Sequence, residues 1–235
     1  MANNYFSFKQ FTIHQDKSAF KVGTDGVLLG ASADVTGVRR ILDIGSGTGL
    51  VAIMLAQRCE AEIVAIEPDS DSFIQCNDNV NLCKWRNRMR VEQTTLQNFK
   101  TADKFDLIVT NPPFFTDSLK NPDPRKSASR HNDSLSEDEL LKGASRLMAE
   151  GGRLQVIMPY AEGNFFIAEA NEFGLFCNNI LKIRPLPTSE IRRMILTLSK
   201  QRLDPTEKFL TIEHGKRHEF TEDYINLTED FYLNF

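Results

Sequence analysis

The stretch Ile41-Leu-Asp-Ile-Gly-Ser-Gly-Thr-Gly-Leu50 decides the fold. Its three glycines, Gly45, Gly47 and Gly49, stand at alternate positions after an apolar run of strand character and before the helix-length run Leu50 to Gln57. Glycine permits positive φ and close approach of the backbone to a ligand, and a helix N-terminus presents free N–H groups. The next apolar run, Glu62-Ile-Val-Ala-Ile, leads to Glu67, an acid 24 positions after Asp43. A carboxylate there can accept hydrogen bonds from both hydroxyls of a ribose. The spacing G-x-G-x-G departs from the dinucleotide fingerprint G-x-G-x-x-G, so the turn points to a nucleoside other than a nicotinamide dinucleotide. A plain strand-to-helix turn, with Glu67 as a solvated loop acid, is the alternative this pattern leaves open.

Working outward, β-type runs alternate with helix-length segments: Arg40 to Ile44, Leu50 to Gln57, Glu62 to Ile66, Asp69 to Lys84, Phe105 to Thr110, Glu137 to Ala149 and Arg153 to Met158. Nearly continuous apolar strands joined by helical crossovers predict an α/β fold with a mainly parallel sheet buried on both faces. Ser136-x-x-Glu139 reads as a capping box for the helix at Glu137, and Gly151-Gly152 as its stop. After Pro159 the pattern predicts one more helix, Ala161 to Phe173, then strands at Asn179 to Arg184 and Arg192 to Ser199. The link between those strands, Pro185 to Glu190, is too short for a parallel crossover, so they should form an antiparallel hairpin. With 235 residues and no evident linker, residues 1–235 read as a single domain, with a core at 36–200, a flanking segment at 1–35 and an extension at 201–235.

The composition, 41% hydrophobic and 26% charged, is that of an ordinary globular chain and excludes collagen-like, low-complexity and wholly disordered classes. Apolar stretches such as Val27 to Ala33 fall far short of the ~20 residues of a membrane span, and Met1 to Phe6 lacks the features of a secretory signal. A cytoplasmic location follows as the expectation. Cys59, Cys76, Cys83 and Cys177 form no C-x-x-C pair and read as buried thiols, with no metal site. The net charge of −4 argues weakly against a protein that coats nucleic acid, but the charge is unevenly spread. Lys120, Arg125, Lys126 and Arg130 cluster against Asp123, and Lys182 to Arg217 holds nine basic residues against four acidic ones. Solvated faces of ordinary elements explain such clusters as readily as a binding surface does.

A second motif follows the strand Phe105 to Thr110: Asn111-Pro112-Pro113-Phe114. Consecutive prolines fix φ and remove backbone donors, leaving rigid carbonyl acceptors at the carboxyl end of a parallel strand, the edge where open α/β sheets bind ligands. Asn111 and the Pro112 carbonyl can accept both protons of an exocyclic amino group and align its lone pair, while Phe114 offers a face for a planar base.

Asp43 to Gly49 resembles the first motif of the class I S-adenosylmethionine-dependent methyltransferases, and Asn111 to Phe114 resembles the fourth motif of those that modify amino groups. Phe20-Lys-Val-Gly-Thr-Asp-Gly-Val-Leu-Leu-Gly30, Lys126-Ser-Ala-Ser-Arg-His131 and the ending Asp230 to Phe235 resemble the bacterial tRNA1(Val) (adenine(37)-N6)-methyltransferase family, so the likeness covers nearly the whole chain. That resemblance implies a Rossmann-like, mostly parallel seven-stranded sheet with the hairpin near the C-terminal end and helices on both faces. It also implies S-adenosylmethionine as cofactor, a tRNA substrate, no membrane and a monomer. Carried over, the cofactor would be held by Lys21, Thr24, Asp25, Asp43, Gly45, Gly47, Gly49, Glu67, Thr95 and Asn111. Thr95 stands where the family often has an acid for the adenine amine, which is a departure. By residue type alone, Thr24 and Asp25 would instead cap a helix starting near Gly26. Asn111, Pro112, Pro113 and Phe114 would perform the transfer; Phe115, Lys120, Arg125, Lys126, Arg130 and His131 would contact RNA, extended by the basic region from Lys182 to Arg217. Guanine-N2 and protein glutamine methyltransferases share the fourth motif and remain rivals, as does an RNA-binding module that retains the fold without the activity.

Overall fold

The computed structural model describes residues 3–18, 20–112 and 135–235. A short hairpin of β1 (Tyr5–Ser7) and β2 (Thr12–His14) precedes the main sheet. That sheet comprises β3 (Arg40–Ile44), β4 (Glu62–Ile66), β5 (Met89–Glu92), β6 (Phe105–Thr110), β7 (Met148–Pro159), β8 (Phe176–Arg184), β9 (Arg193–Ser199) and β10 (Thr206–Thr211). Their spatial order is β10-β8-β9-β7-β6-β3-β4-β5. β9 runs antiparallel to both its neighbours, β7 and β8, and every other pairing is parallel. The expected hairpin is therefore present, with β9 inserted so that β8 returns to the direction of the rest.

Helices α1 (Thr24–Ser32), α2 (Leu50–Arg58), α3 (Ser70–Leu82) and α6 (Glu222–Thr228) cover one face, and α4 (Glu137–Leu147) and α5 (Tyr160–Glu172) the other. The two-residue period of a strand divides the core between them. Ile41, Ile63, Leu107 and Val109 join Leu29 of α1 and Ile53 of α2, whereas Leu42, Val64 and Ile108 join Leu141 of α4 and Phe166 of α5. Apolar residues on both faces account for the unbroken hydrophobic runs. Among the described residues, no helix is long and apolar enough to cross a membrane.

The structure departs from the sequence-based expectation at three places. The sheet has eight strands instead of seven, because Thr206–Thr211 adds β10 in parallel to β8. This strand buries only Leu210 and exposes Thr206, Glu207, Lys208 and also Phe209, so it carries no alternating apolar signal; the charged Glu207 and Lys208 suit an edge strand, where charge discourages further pairing. Helix α4 ends at Leu147, and Gly151-Gly152 lies within β7 instead of stopping a helix. There the register against β6 shifts between Phe105 and Leu107, Gly151 takes φ 70°, and a Cβ on Gly152 would lie 2.8 Å from the Phe105 carbonyl oxygen. The pair of glycines forms a bulge. Finally, α1 is capped by Gly23 without a side-chain bond, so Thr24 and Asp25 occupy its first turn and do not cap it.

Candidate active site

Strands β3, β4 and β6 end level with one another, Ile44 beside both Ile66 and Thr110, and their carboxyl ends build the site. Gly45, Gly47 and Gly49 all take positive φ, at 68°, 55° and 82°. The Gly45 and Ser46 N–H groups donate to the Ile66 carbonyl at 2.9 and 3.2 Å, pinning the turn to β4. The glycines serve two ends. At Gly45 and Gly47 no non-neighbouring atom lies within 4 Å of where a Cβ would stand, which leaves an open backbone cradle. At Gly49 a Cβ would lie 2.9 Å from Cys76 Sγ of α3, so the close packing of turn on helix excludes a side chain.

Asp43 and Glu67 stabilise this turn from below and from the side. Asp43 is 2% exposed and accepts from the Ala52 N–H at 3.2 Å, in the first turn of α2. Burial pushes its carboxyl up to about 7, the Ala52 bond opposes this, and the negative charge of Glu67 adds to it. Asp43 thus acts as a positioning residue for α2 and the turn. Glu67, also buried, accepts from the Gly47 N–H at 2.8 Å and from the Asp69 N–H at 3.0 Å, one bond to each carboxylate oxygen. Burial raises its carboxyl above the usual range, against the pull of those two N–H groups. Each oxygen keeps a further lone pair for a hydroxyl.

Asn111 and Pro112 follow β6 directly. Thr110, buried, donates from its hydroxyl to the Ile44 carbonyl at 2.9 Å, which locks the start of this loop beside the glycine turn. Asn111 is half-buried and Pro112 buried. Pro113, Phe114, Phe115, Lys120, Arg125, Lys126, Arg130 and His131 lie outside the described residues.

The N-terminal segment reaches the same edge through contacts that no sequence motif announces. Asn79 of α3 donates from Nδ2 to the carbonyls of His14 and Thr48, at 2.8 and 2.9 Å, and accepts from the His14 N–H, so one amide ties β2 to the glycine turn. Gln75 accepts from the Lys17 N–H at 2.8 Å, and the Ser18 and Ser72 hydroxyls meet at 3.1 Å. Ser72, Gln75 and Asn79 fall on one stripe of α3, where buried polar side chains in place of leucines were the available signal. Lys21 and Thr24 are exposed, and Asp25 pairs with Arg193 Nε at 2.8 Å, joining α1 to the start of β9. Thr95 lies in a turn beyond β5, where its hydroxyl accepts from the Asn98 N–H at 3.3 Å. The structure therefore gathers Gly45, Gly47, Gly49, Glu67 and Asn111 at one edge, with Asp43 beneath them and Asp25 held in an ion pair. Among the described residues, no group of three or more His, Cys, Asp or Glu is placed to hold a metal ion.

The chain is similar in sequence and in fold to known proteins. Residues 18–167 match the family model of the methyltransferase small domain. The tRNA1(Val) (adenine(37)-N6)-methyltransferase of Trichodesmium erythraeum is 43% identical over 240 residues, and the protein of the same name from Phocaeicola vulgatus is 45% identical over 234; each comparison covers 100% of both chains. Among solved structures, a predicted O-methyltransferase from Agrobacterium tumefaciens superposes with TM-score 0.64 at 22% identity, over 88% of this chain and 96% of its own. The CcbJ methyltransferase from Streptomyces caelestis gives TM-score 0.57 at 12% identity, over 75% and 89%. At these identities the two structures speak for the fold.

Proposed function

Because the chain belongs to the tRNA1(Val) (adenine(37)-N6)-methyltransferase family, we propose that it transfers a methyl group from S-adenosylmethionine to N6 of the adenine at position 37, in the anticodon loop of a valine tRNA. What supports this reading is the meeting, on one sheet edge, of an open glycine cradle, a buried carboxylate with spare lone pairs and the Asn111-Pro112 pair that follows β6.

The residues present fit the cofactor. Gly45 and Gly47 leave backbone uncovered for close approach, and Glu67 already has its plane fixed by two backbone N–H bonds, so it can accept two ribose hydroxyls without first losing side-chain freedom. Lys21, Thr24 and Asp25 would close the site from the N-terminal side, and the turn at Thr95 would border the adenine. When bound, S-adenosylmethionine supplies a sulfonium methyl that is already a strong electrophile.

What the chain must contribute is alignment, worth roughly 7–11 kcal/mol in well-oriented intramolecular reactions. The target amine is conjugated with its ring and a poor nucleophile. Asn111 Oδ1 and the Pro112 carbonyl would accept its two N–H protons and turn its lone pair toward the cradle. As the nitrogen becomes cationic these acceptors bind it more strongly, so they favour the transition state over the ground state. The surplus proton is acidic on the product and passes to water. The Thr110 bond to the Ile44 carbonyl holds the strand end that leads into Asn111 against the strand end that leads into the glycine turn. An adenine in a single-stranded loop is also cheaper to extrude than one in a duplex.

Incubation with labelled S-adenosylmethionine and tRNA lacking base modifications tests the reading. Label should enter tRNA and appear as N6-methyladenosine after digestion to nucleosides. N2-methylguanosine, or label confined to protein, would overturn it.

A further inference from the structure

The strands on one side of Asn111 overshoot it. Thr110 on β6 lies beside Val156 on β7, Val156 beside Leu196 on β9, Leu196 beside Ile180 on β8, and Ile180 beside Glu207 on β10. β6 ends at Thr110, as β3, β4 and β5 end level with it, but β8 continues four residues past Ile180 to Arg184 and β10 four past Glu207 to Thr211. At about 3.3 Å per residue, this end of the sheet rises roughly 13 Å above the floor on which Asn111 stands. β8 lies three strand spacings away, about 14 Å.

The rim of this wall, segments 184–193 and 212–219, carries five Arg and Lys residues against three Glu. The β8–β9 hairpin carries Arg184, Arg192 and Arg193 against Glu190. Arg184 Nε donates to Thr211 Oγ1 at 2.8 Å and Arg193 pairs with Asp25, while Arg192 is exposed. After β10, the turn Gly215-Lys-Arg-His218 is exposed throughout. It is built with care. Glu213 and Phe220 form an antiparallel bridge at its base, and the His214 N–H donates to the Glu219 carbonyl at 2.8 Å. His218 takes φ 71°, the one positive φ at a non-glycine residue among those described, and its N–H donates to Glu213 Oε1 at 2.8 Å. A strained backbone of this kind persists only where its surroundings over-determine it. Below it, Phe220 stacks on Tyr224 at 5.2 Å and meets Phe235 edge-on at 5.1 Å. The ion pair of Lys216 with Glu219 spans 3.8 Å between exposed groups and leaves the lysine able to meet a polyanion.

We infer that this raised rim, Arg192 with the Lys216-Arg217 turn, is the surface on which the phosphate backbone of the tRNA docks beside the target nucleotide. The inference rests on the proposed function and extends it to contacts made by residues 184–217. A base inserted down to Asn111 leaves its sugar-phosphate chain above the floor, on the level of the rim. Cations there meet phosphates and fix the register of the RNA without reading sequence.

The test is the triple charge reversal Arg192→Glu, Lys216→Glu, Arg217→Glu, assayed beside the conservative Arg192→Lys, Arg217→Lys. The reversal should raise KM for tRNA at least tenfold and flatten the log–log dependence of RNA affinity on salt by about 0.7 for each single-strand phosphate that is no longer neutralised. Its kcat at saturating tRNA and its S-adenosylmethionine affinity should match wild type, and the conservative variant should keep wild-type KM. If wild type methylates tRNA and the reversal leaves KM and salt slope unchanged, or lowers kcat alone, the surface is refuted and the function stands. If wild type binds cofactor but methylates no tRNA, the function falls and the surface with it.

Discussion

Replacing Gly49 by alanine separates two costs that the structure places at one atom. With φ at 82°, any L side chain here occupies the left-handed region, at a cost of roughly 1–2 kcal/mol. The new Cβ would also lie 2.9 Å from Cys76 Sγ, and because Cys76 is fully buried, its thiol or helix α3 has to shift within a packed core. Overpacking of this order costs about 1–3 kcal/mol, giving a total of about 2–5 kcal/mol. Cys76→Ala removes the sulfur, which is fully buried and meets the Ser46 hydroxyl at 3.4 Å; alone it should cost about 1 kcal/mol. In the double variant the steric share should vanish while the backbone share stays, so the two changes should be non-additive by about 1–3 kcal/mol in the favourable direction. Urea unfolding of all four proteins without cofactor measures the cycle. Wild-type stability for Gly49→Ala, or strict additivity with Cys76→Ala, would refute the packing argument.

Glu67→Ala leaves the Gly47 and Asp69 N–H groups without their acceptor and removes the proposed ribose contacts, so S-adenosylmethionine affinity should fall at least tenfold by calorimetry; unchanged affinity would exclude the role. Asn111→Ala should lower kcat by about 10²–10³ while cofactor affinity stays within a few-fold, and a variant with wild-type turnover would shift the role to another group. Asp43 holds its proton to about pH 7 in the folded chain, against about 3.9 unfolded. Its contribution to stability is therefore complete below pH ~4 and lost as the pH rises through 7, by up to ~1.4 kcal/mol per pH unit. Asp43→Asn should abolish that decline, and a stability difference from wild type that is flat between pH 4 and 7 would contradict it.

What could be read in advance was local. Gly45, Gly47 and Gly49 announce a turn because their conformations require glycine, and Glu67 follows at the distance one crossover sets. Asn111-Pro112 lies at the strand end because the apolar run within Phe105 to Thr110 stops there. What stayed hidden depends on pairings distant in sequence. Asn79 binds His14 across 65 positions, Gln75 binds Lys17 across 58, and Asp25 meets Arg193 across 168, none of which leaves a periodic trace. β10 escaped because only Leu210 is buried, and Gly151-Gly152 misled because a positive φ serves a helix stop and a bulge equally well.

The proposed methyl transfer ends on one atom of one nucleotide. An unmodified valine tRNA transcript, treated with enzyme and S-adenosylmethionine, can be cut by a base-specific nuclease and its fragments sequenced by mass spectrometry. A single added methyl on N6 of the adenine immediately 3′ of the anticodon is the predicted result; a methyl on a guanine, on another adenine or on no nucleotide of that RNA would contradict the proposed activity.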